Sequence, residues 1–365
     1  MRRLVLSLFL TASLGCMAQY DEVIQQWRDS VRKATDAVIG GKIVVQGENR
    51  MPLFWTIYGN EPADGRSMWI SLHGGGGAPK QVNDGQWQNQ KFLYTPEEGV
   101  YVAPRAPWDA WDMWFQEPID SMYLQLIRAM VSHYNVNPDK VYILGYSAGG
   151  DGIWRLAPRM ADHWAAASMM AGHPGDVSLV NVRNLPFTIW VGGKDAAYNR
   201  NTEVAKRGVE MDSLQTHDPE GYIHETHILA DKEHWMDRED RAAVPWMAQY
   251  RRNPWPKKLV WQQESVLKPH FYWVSVPETE MERGKRVELL VKGNSIEILH
   301  CDYTCLTLRL SSELIPLKGK VKVVYQGKTL FNDRVKPSTD TFRKSLQQMQ
   351  DPRMAAPVEL KISLR

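Results

Sequence analysis

A chain of 365 residues with 43% apolar side chains has the length for two domains and the apolar content to bury a large core. Its formal charge is only +2 and its Lys and Arg are dispersed, which excludes the concentrated basic footprint of phosphate-backbone binding, so nucleic acid is not an expected partner. Trp is in excess at 15 residues, a side chain that packs cores and also stacks on flat ligands and sugar rings.

In chain order, Arg2 and Arg3, the apolar run Leu4 to Leu14 and the small residues after it read as an export leader over 1–18. The apolar run is too short to span a bilayer, and no later stretch is long and apolar enough to do so. Cleavage after Cys16-Met17-Ala18 starts the mature chain near Gln19; the rival reading makes Cys16 a lipid anchor. Both place the protein outside the cytoplasm: periplasmic, secreted or lipid-anchored.

Val23, Ile24, Trp27, Val31, Ala34 and Val38 recur at helical spacing over about 20–39, and Gly40-Gly41 closes that helix. Segments then alternate as βαβ units. Leu53 to Tyr58, Met68 to Leu72, Val100 to Ala103, Val141 to Leu144, Ala165 to Met170, Phe187 to Val191 and Tyr222 to Leu229 read as strands; 117–135, 147–161, 199–215 and 236–249 read as helices. The expected fold class is α/β, a mainly parallel sheet with helices on both faces.

After Arg252 the pattern changes, with Pro254 and Pro256 interrupting the chain. Phe271 to Val276, Val287 to Val291, Ser295 to Leu299, Leu306 to Leu310 and Val321 to Tyr325 follow as strands without long helices. The expected division is a catalytic domain over 19–253 and a β-rich, sandwich-like accessory domain over 254–365. Cys301 and Cys305 would lie roughly 13 Å apart on one straight strand, too far to bond, whereas a hairpin at Asp302-Tyr303-Thr304 would bring them together. A disulfide and two free thiols both remain open.

The chemistry centres on Gly145-Tyr146-Ser147-Ala148-Gly149, a G-x-S-x-G between an apolar strand and a helix-compatible run. The turn is so sharp that side chains at the flanking glycines would clash, and it lifts the Ser147 hydroxyl to the sheet edge. An ordinary serine hydroxyl is a poor nucleophile, so it needs a base, and the base needs a group that fixes its tautomer. His234 fits the base, in the loop after the last strand. Asp195 fits the acid, after the strand Phe187 to Val191 and a Gly192-Gly193 turn; Asp176 and Asp231 are weaker candidates. His224 and His227 read as strand residues, and His224-Glu225-Thr226-His227 lacks the spacing of a metalloprotease site.

Leu72-His73-Gly74-Gly75-Gly76-Gly77 closes an earlier strand. With the Ala148 amide, an amide of this loop, Gly75 first, can bind the oxyanion of a tetrahedral intermediate, while His73 orients the loop. No Gly-Lys-Ser/Thr follows, which speaks against a phosphate-binding loop. Trp108, Trp111 and Trp114 follow the strand ending near Pro104; one of them is expected to line the substrate pocket, and Trp235 to wall it beside the base, though a plain packing cluster explains them equally.

The run from His73 through Asn137-Pro138-Asp139-Lys140-Val141, Gly145 to Gly150 and Ala166 to Gly172 resembles the polyhydroxybutyrate-depolymerase and feruloyl-esterase-like branch of the α/β-hydrolases, over roughly residues 67–236. The resemblance implies a carboxylic-ester hydrolase acting on small-molecule or polysaccharide esters without metal or organic cofactor. Lys232-Glu233-His234-Trp235 departs from it in lacking the Gly common before the base, and the trailing β-domain is no general feature of the branch. Two other readings stay open: a serine peptidase of oligopeptidase type, and an inactive glycan-binding surface protein.

Overall fold

The structure is a computed structural model that describes residues 2–364, with side chains from Gln19 onward. The leader read over 1–18, with the Cys16 anchor, falls outside the described side chains. Among the described residues no helix is long and apolar enough to cross a membrane.

Helix α1 (Arg2–Gly41) lays Val38 on the main core and Val23, Trp27 and Val31 on Phe342, Leu346 and Ala355 of the C-terminal part, with Thr35 buried between. Thr35 takes the inward position expected of Ala34, its hydroxyl satisfied by the Val31 carbonyl at 2.7 Å. The body is an eight-stranded sheet: β1 (Ile43–Gln46), β2 (Asn49–Tyr58), β3 (Arg66–Leu72), β4 (Gly99–Pro104), β5 (Val136–Tyr146), β6 (Ala166–Met170), β7 (Phe187–Gly192) and β8 (His224–Leu229). The spatial order is β1-β2-β4-β3-β5-β6-β7-β8, and β2 alone runs against the rest. This is the α/β-hydrolase fold. The inner strands β4, β6 and β7 are buried along their whole length, which is why they read as unbroken apolar runs without alternation.

Helices α2 (Lys80–Gln90), α3 (Pro118–Tyr134), α4 (Ala148–Arg159) and α5 (Arg200–His217) connect the strands. The closing helix expected over 236–249 is shorter, α6 (Ala243–Met247), because Asp237 and Arg238 adopt positive φ and a 3-10 turn precedes it. The carboxyl ends of β3, β5, β7 and β8 share one edge, where the loops carrying chemistry gather.

The segment after Arg252 forms two further sheets. Strands β9 (Lys258–Gln262), β12 (Arg286–Lys292), β13 (Ser295–Cys301), β15 (Lys320–Tyr325) and β16 (Lys328–Arg334) make one; β10 (His270–Phe271), β11 (Val274–Ser275), β14 (Cys305–Leu310) and β17 (Val358–Ser363) make the other. Leu289 and Ile296 of the first share an apolar cluster with Leu306 and Ile362 of the second. The single strand expected over Phe271 to Val276 is broken at Tyr272 (φ 51°), whose hydroxyl donates to the Ala161 carbonyl at 3.0 Å. A helix, α7 (Thr339–Met349), interrupts the strands and was not expected. Cys301 and Cys305 are free thiols, since the chain passes between sheets there instead of forming a hairpin within one. Burial pushes the Cys301 thiol up to about 11.

The two parts are locked by charge. Arg252, buried, donates to Asp139 at 2.7 Å and to Asp351 at 2.7 Å, and Arg353 reaches Asp139 at 2.7 Å. Breaking a buried pair by removing one partner costs about 3–5 kcal/mol. The β-rich part is therefore fastened to the body's core.

Candidate active site

Strand β5 delivers Ser147 into a turn that leaves it at φ 58°, ψ −121°, a conformation L-residues rarely occupy and that costs on the order of 1–3 kcal/mol. Its neighbours make the turn possible: a Cβ on Gly149 would collide with the Leu72 carbonyl, and one on Gly150 with that of Met170. The Ser147 N–H donates to the Met170 carbonyl at 2.9 Å, pinning the turn to β6.

His234 Nε2 lies 2.9 Å from Ser147 Oγ, and His234 Nδ1 lies 2.8 Å from Asp195 Oδ2. The network assigns the Nδ1–H tautomer, which leaves Nε2 free to accept the serine proton. Asp195 is buried after β7, and its turn packs directly on the base loop: a Cβ on Gly192 would strike the Glu233 carbonyl, so the Gly192-Gly193 pair permits the contact. The base loop is clamped from beneath by Tyr146, whose hydroxyl donates to the His234 carbonyl at 2.6 Å and accepts from the Met236 N–H at 3.0 Å. Lys232 ties the loop's ends through Asp237 and Glu239, both at 2.8 Å.

Arg200, at the start of α5, joins the site although nothing in its local sequence marks it. Its guanidinium donates from Nη1 to Asp195 Oδ1 at 2.7 Å, and the same nitrogen is 3.1 Å from His234 Nδ1. Arg200 is itself buried, so the cation balances the enclosed carboxylate while Oδ2 stays turned toward the imidazole.

The glycine loop after β3 carries Gly75 (φ 115°) and Gly76 (φ 102°). The buried Asn83 braces it, accepting from the Gly76 N–H at 3.1 Å and donating to the Gly76 carbonyl at 3.0 Å. Among the described residues neither the Gly75 nor the Ala148 amide donates to a partner, and both residues line a cavity at Ser147. His73 is fully buried; its Nδ1–H donates to the Gly74 carbonyl at 2.6 Å and its Nε2 accepts from the Ala106 N–H at 3.1 Å. Burial holds its pKa down at about 4, keeping the ring neutral as a strut for the loop.

The tryptophans divide. Trp114 is fully enclosed, its Nε1 donating to the His73 carbonyl at 2.8 Å, and Trp108 packs half-buried on the main core, so neither Trp108 nor Trp114 lines the two cavities at Ser147 and Trp111 is the one of the three that does. Trp111 is 69% exposed and faces the glycine loop, and Trp235 is 48% exposed beside His234. The weaker candidates lie elsewhere: Asp176 is held by Arg155 and Arg283, Asp231 is exposed near Lys194, His224 faces Asp212, and His227 stacks on Trp190. Among the described residues no group of three or more His, Cys, Asp or Glu is arranged to hold a metal.

Two cavities flank Ser147. One, of about 680 Å³, is lined by Gln86, Asn89, Phe92, Tyr146, His234 and Trp235; the other, of about 360 Å³, by Trp111, Ala148, Asp151, Arg155, Tyr198 and Arg200. Burial raises the Asp151 carboxyl, although the His173 N–H donates to it at 2.6 Å.

No family model matches the chain, and no curated protein does. Solved structures similar to it include a thermostable esterase (19% identity, 57% of this chain, TM-score 0.44), a ferulic acid esterase (14%, 55%, 0.36) and the LpqC poly(3-hydroxybutyrate) depolymerase of Bordetella parapertussis (13%, 56%, 0.39). The similarity covers 97% and 86% of the last two chains but 62% of the first, less than two thirds of its length. All of them fall on little more than half of this chain, so the fold assignment rests on its own strand order.

Proposed function

We propose that the chain is a serine esterase, exported by the leader read over 1–18, that hydrolyses carboxylic esters, with acyl groups carried on carbohydrates as its substrate class. The observation that carries the reading is the unbroken line from Asp195 through His234 to Ser147, ending on a hydroxyl that opens to both cavities.

In this mechanism His234 Nε2 takes the Ser147 proton as Oγ attacks the ester carbonyl, forming the Oγ–C bond. The carbonyl oxygen gains the negative charge and is met by the amides of Gly75 and Ala148. His234 then gives its proton to the departing alcohol oxygen as the C–O bond breaks, leaving an acyl-enzyme. Water then loses a proton to His234 as its oxygen bonds the acyl carbon, and the Oγ–C bond breaks as His234 returns that proton to Ser147 Oγ, releasing the acid. Asp195 turns the imidazole and stabilises it while it carries the extra proton.

The test is turnover of p-nitrophenyl esters, sugar acetates and peptide p-nitroanilides by the purified protein and by Ser147→Ala. The reading expects ester turnover that falls by a factor on the order of a million in the variant. Near-normal ester turnover in Ser147→Ala overturns it, and turnover confined to the anilides replaces it with a peptidase.

A further inference from the structure

The two cavities at Ser147 are not equivalent, and the proton route tells them apart. His234 Nε2 must deliver its proton to the oxygen of the departing alcohol, so that oxygen lies on the His234 side of the tetrahedral carbon. The acyl chain then extends away from the imidazole. His234 lines the larger cavity and not the smaller one, whereas Ala148, whose amide helps to hold the oxyanion, lines the smaller one only.

We infer that the larger cavity is the alcohol subsite and binds a sugar ring, stacked on Phe92 and Trp235 and hydrogen-bonded by Gln86 and Asn89, while the cavity under Trp111 and Tyr198 takes the acyl group. The inference rests on the esterase reading and adds to it which side of the nucleophile holds the sugar.

The lining has the chemistry a sugar requires. Phe92 is 63% exposed and Trp235 48%, two apolar faces left open to water on one cavity. Pyranose rings present C–H faces to such rings and hydroxyls around the edge. Gln86 and Asn89 stand on the exposed face of α2, and among the described residues neither side-chain amide makes a hydrogen bond. Each offers a carbonyl and an NH₂, the donor and acceptor pairing that a vicinal diol matches. Gln86 Oε1 lies just above the glycine loop, 3.6 Å from where a Cβ on Gly74 would stand, so it reaches the neighbourhood of the nucleophile.

The smaller cavity is built differently. Its two guanidinia are already engaged, Arg200 by Asp195 and Arg155 by Asp176, and Asp151 adds a carboxyl, so the cations there are balanced by acids. Trp111 and Tyr198, 69% and 78% exposed, both line it. Of the Trp-rich stretch 107–114, Trp111 therefore serves the acyl side of the ester.

The experiment holds one half of the ester constant while the other changes. For Phe92→Ala and Gln86→Ala, kcat/KM is measured on an acetyl ester of a methyl glycoside and on ethyl acetate, which share the acyl group. For Tyr198→Ala, kcat/KM is measured on acetyl and hexanoyl esters of one alcohol. The inference expects the glycoside-to-ethyl ratio to fall about tenfold in Phe92→Ala and severalfold in Gln86→Ala, and Tyr198→Ala to change the acetyl-to-hexanoyl ratio while keeping the glycoside-to-ethyl ratio. The opposite pattern, with Tyr198→Ala changing the alcohol ratio, overturns it, as does an unchanged glycoside-to-ethyl ratio in Phe92→Ala. All three side chains are exposed, so the variants should fold, which circular dichroism checks. Failure of the parent esterase reading is a separate result, the absence of ester turnover in the unaltered protein.

Discussion

Replacing Arg200 by Met removes the cation beside Asp195 while keeping a long apolar stem. The Asp195 side chain is 1% exposed and that of Arg200 9%, so the carboxylate cannot turn to water for compensation. Removing one partner of such a buried pair costs about 3–5 kcal/mol, and the surviving bond to His234 Nδ1, at 2.8 Å, puts the expectation at the lower end, about 3 kcal/mol. For a chain of this size that corresponds to a fall in melting temperature of roughly 6 °C or less. Catalysis suffers as well, because Asp195 no longer has its Oδ1 fixed and can turn away from the imidazole. Complete loss of the orienting acid costs on the order of ten-thousandfold in kcat, so a loosened one should cost about ten- to a hundredfold. Arg200→Lys keeps the charge without the planar fork and should recover most of the stability but only part of kcat. The assay is urea unfolding together with steady-state hydrolysis of p-nitrophenyl acetate. An Arg200→Met protein within about 0.5 kcal/mol of the parent, with unchanged kcat, refutes the assigned role.

Tyr146→Phe leaves the His234 carbonyl and the Met236 N–H without their shared partner beneath the base loop. The expected result is a loss of about 1–3 kcal/mol in stability and at least a tenfold drop in kcat with little change in KM, read by thermal melts and steady-state kinetics. His73 and His270 are both held near pKa 4 by burial, below the ordinary value of 6.5, so the unfolded chain binds more protons than the folded one between those values. Their contribution to stability should therefore be complete above about pH 6.5 and be lost as pH drops toward 4, by up to about 1.4 kcal/mol per pH unit for each proton. Urea titrations of the parent and of His270→Asn at pH 7 and pH 5 check this, and the variant should lose less stability between the two pH values. Truncation after Arg252 strips Asp351 and Arg353 from the buried Arg252–Asp139 cluster and uncovers the core face beneath Tyr272; the expected outcome is loss of soluble protein, scored by yield and light scattering.

The parts of the site that the sequence displayed are those whose geometry forces residue identity. Ser147 needs glycines around it, and a strand end must deliver Asp195 and His234, so motif and strand order point to them directly. Arg200 offered no such sign, because an arginine in the first turn of an amphipathic helix reads as a solvated side chain; only folding brings it against Asp195. Helix α2 was missed since Lys80 to Gln90 is almost wholly polar and has no apolar period, yet it supplies Asn83 to the glycine loop and Gln86 to the cleft. Helix α7 did carry a signal: Phe342, Leu346 and Met349 share one face behind a Ser338 N-cap that accepts from the Thr341 N–H. The strand-rich context around it masked that spacing. Whether Trp108, Trp111 or Trp114 faced the cleft depended on how a tight loop turns, which no local pattern encodes.

In the proposed reaction Ser147, made nucleophilic by His234, takes up an acyl group. Intact-mass and peptide analysis after reaction with a fluorophosphonate tests it most directly. One adduct per chain, mapped to Ser147, formed far more slowly in His234→Ala and absent in Ser147→Ala, is the expected result. An unmodified Ser147 in a folded protein, or an adduct at another residue with ester turnover intact, contradicts it.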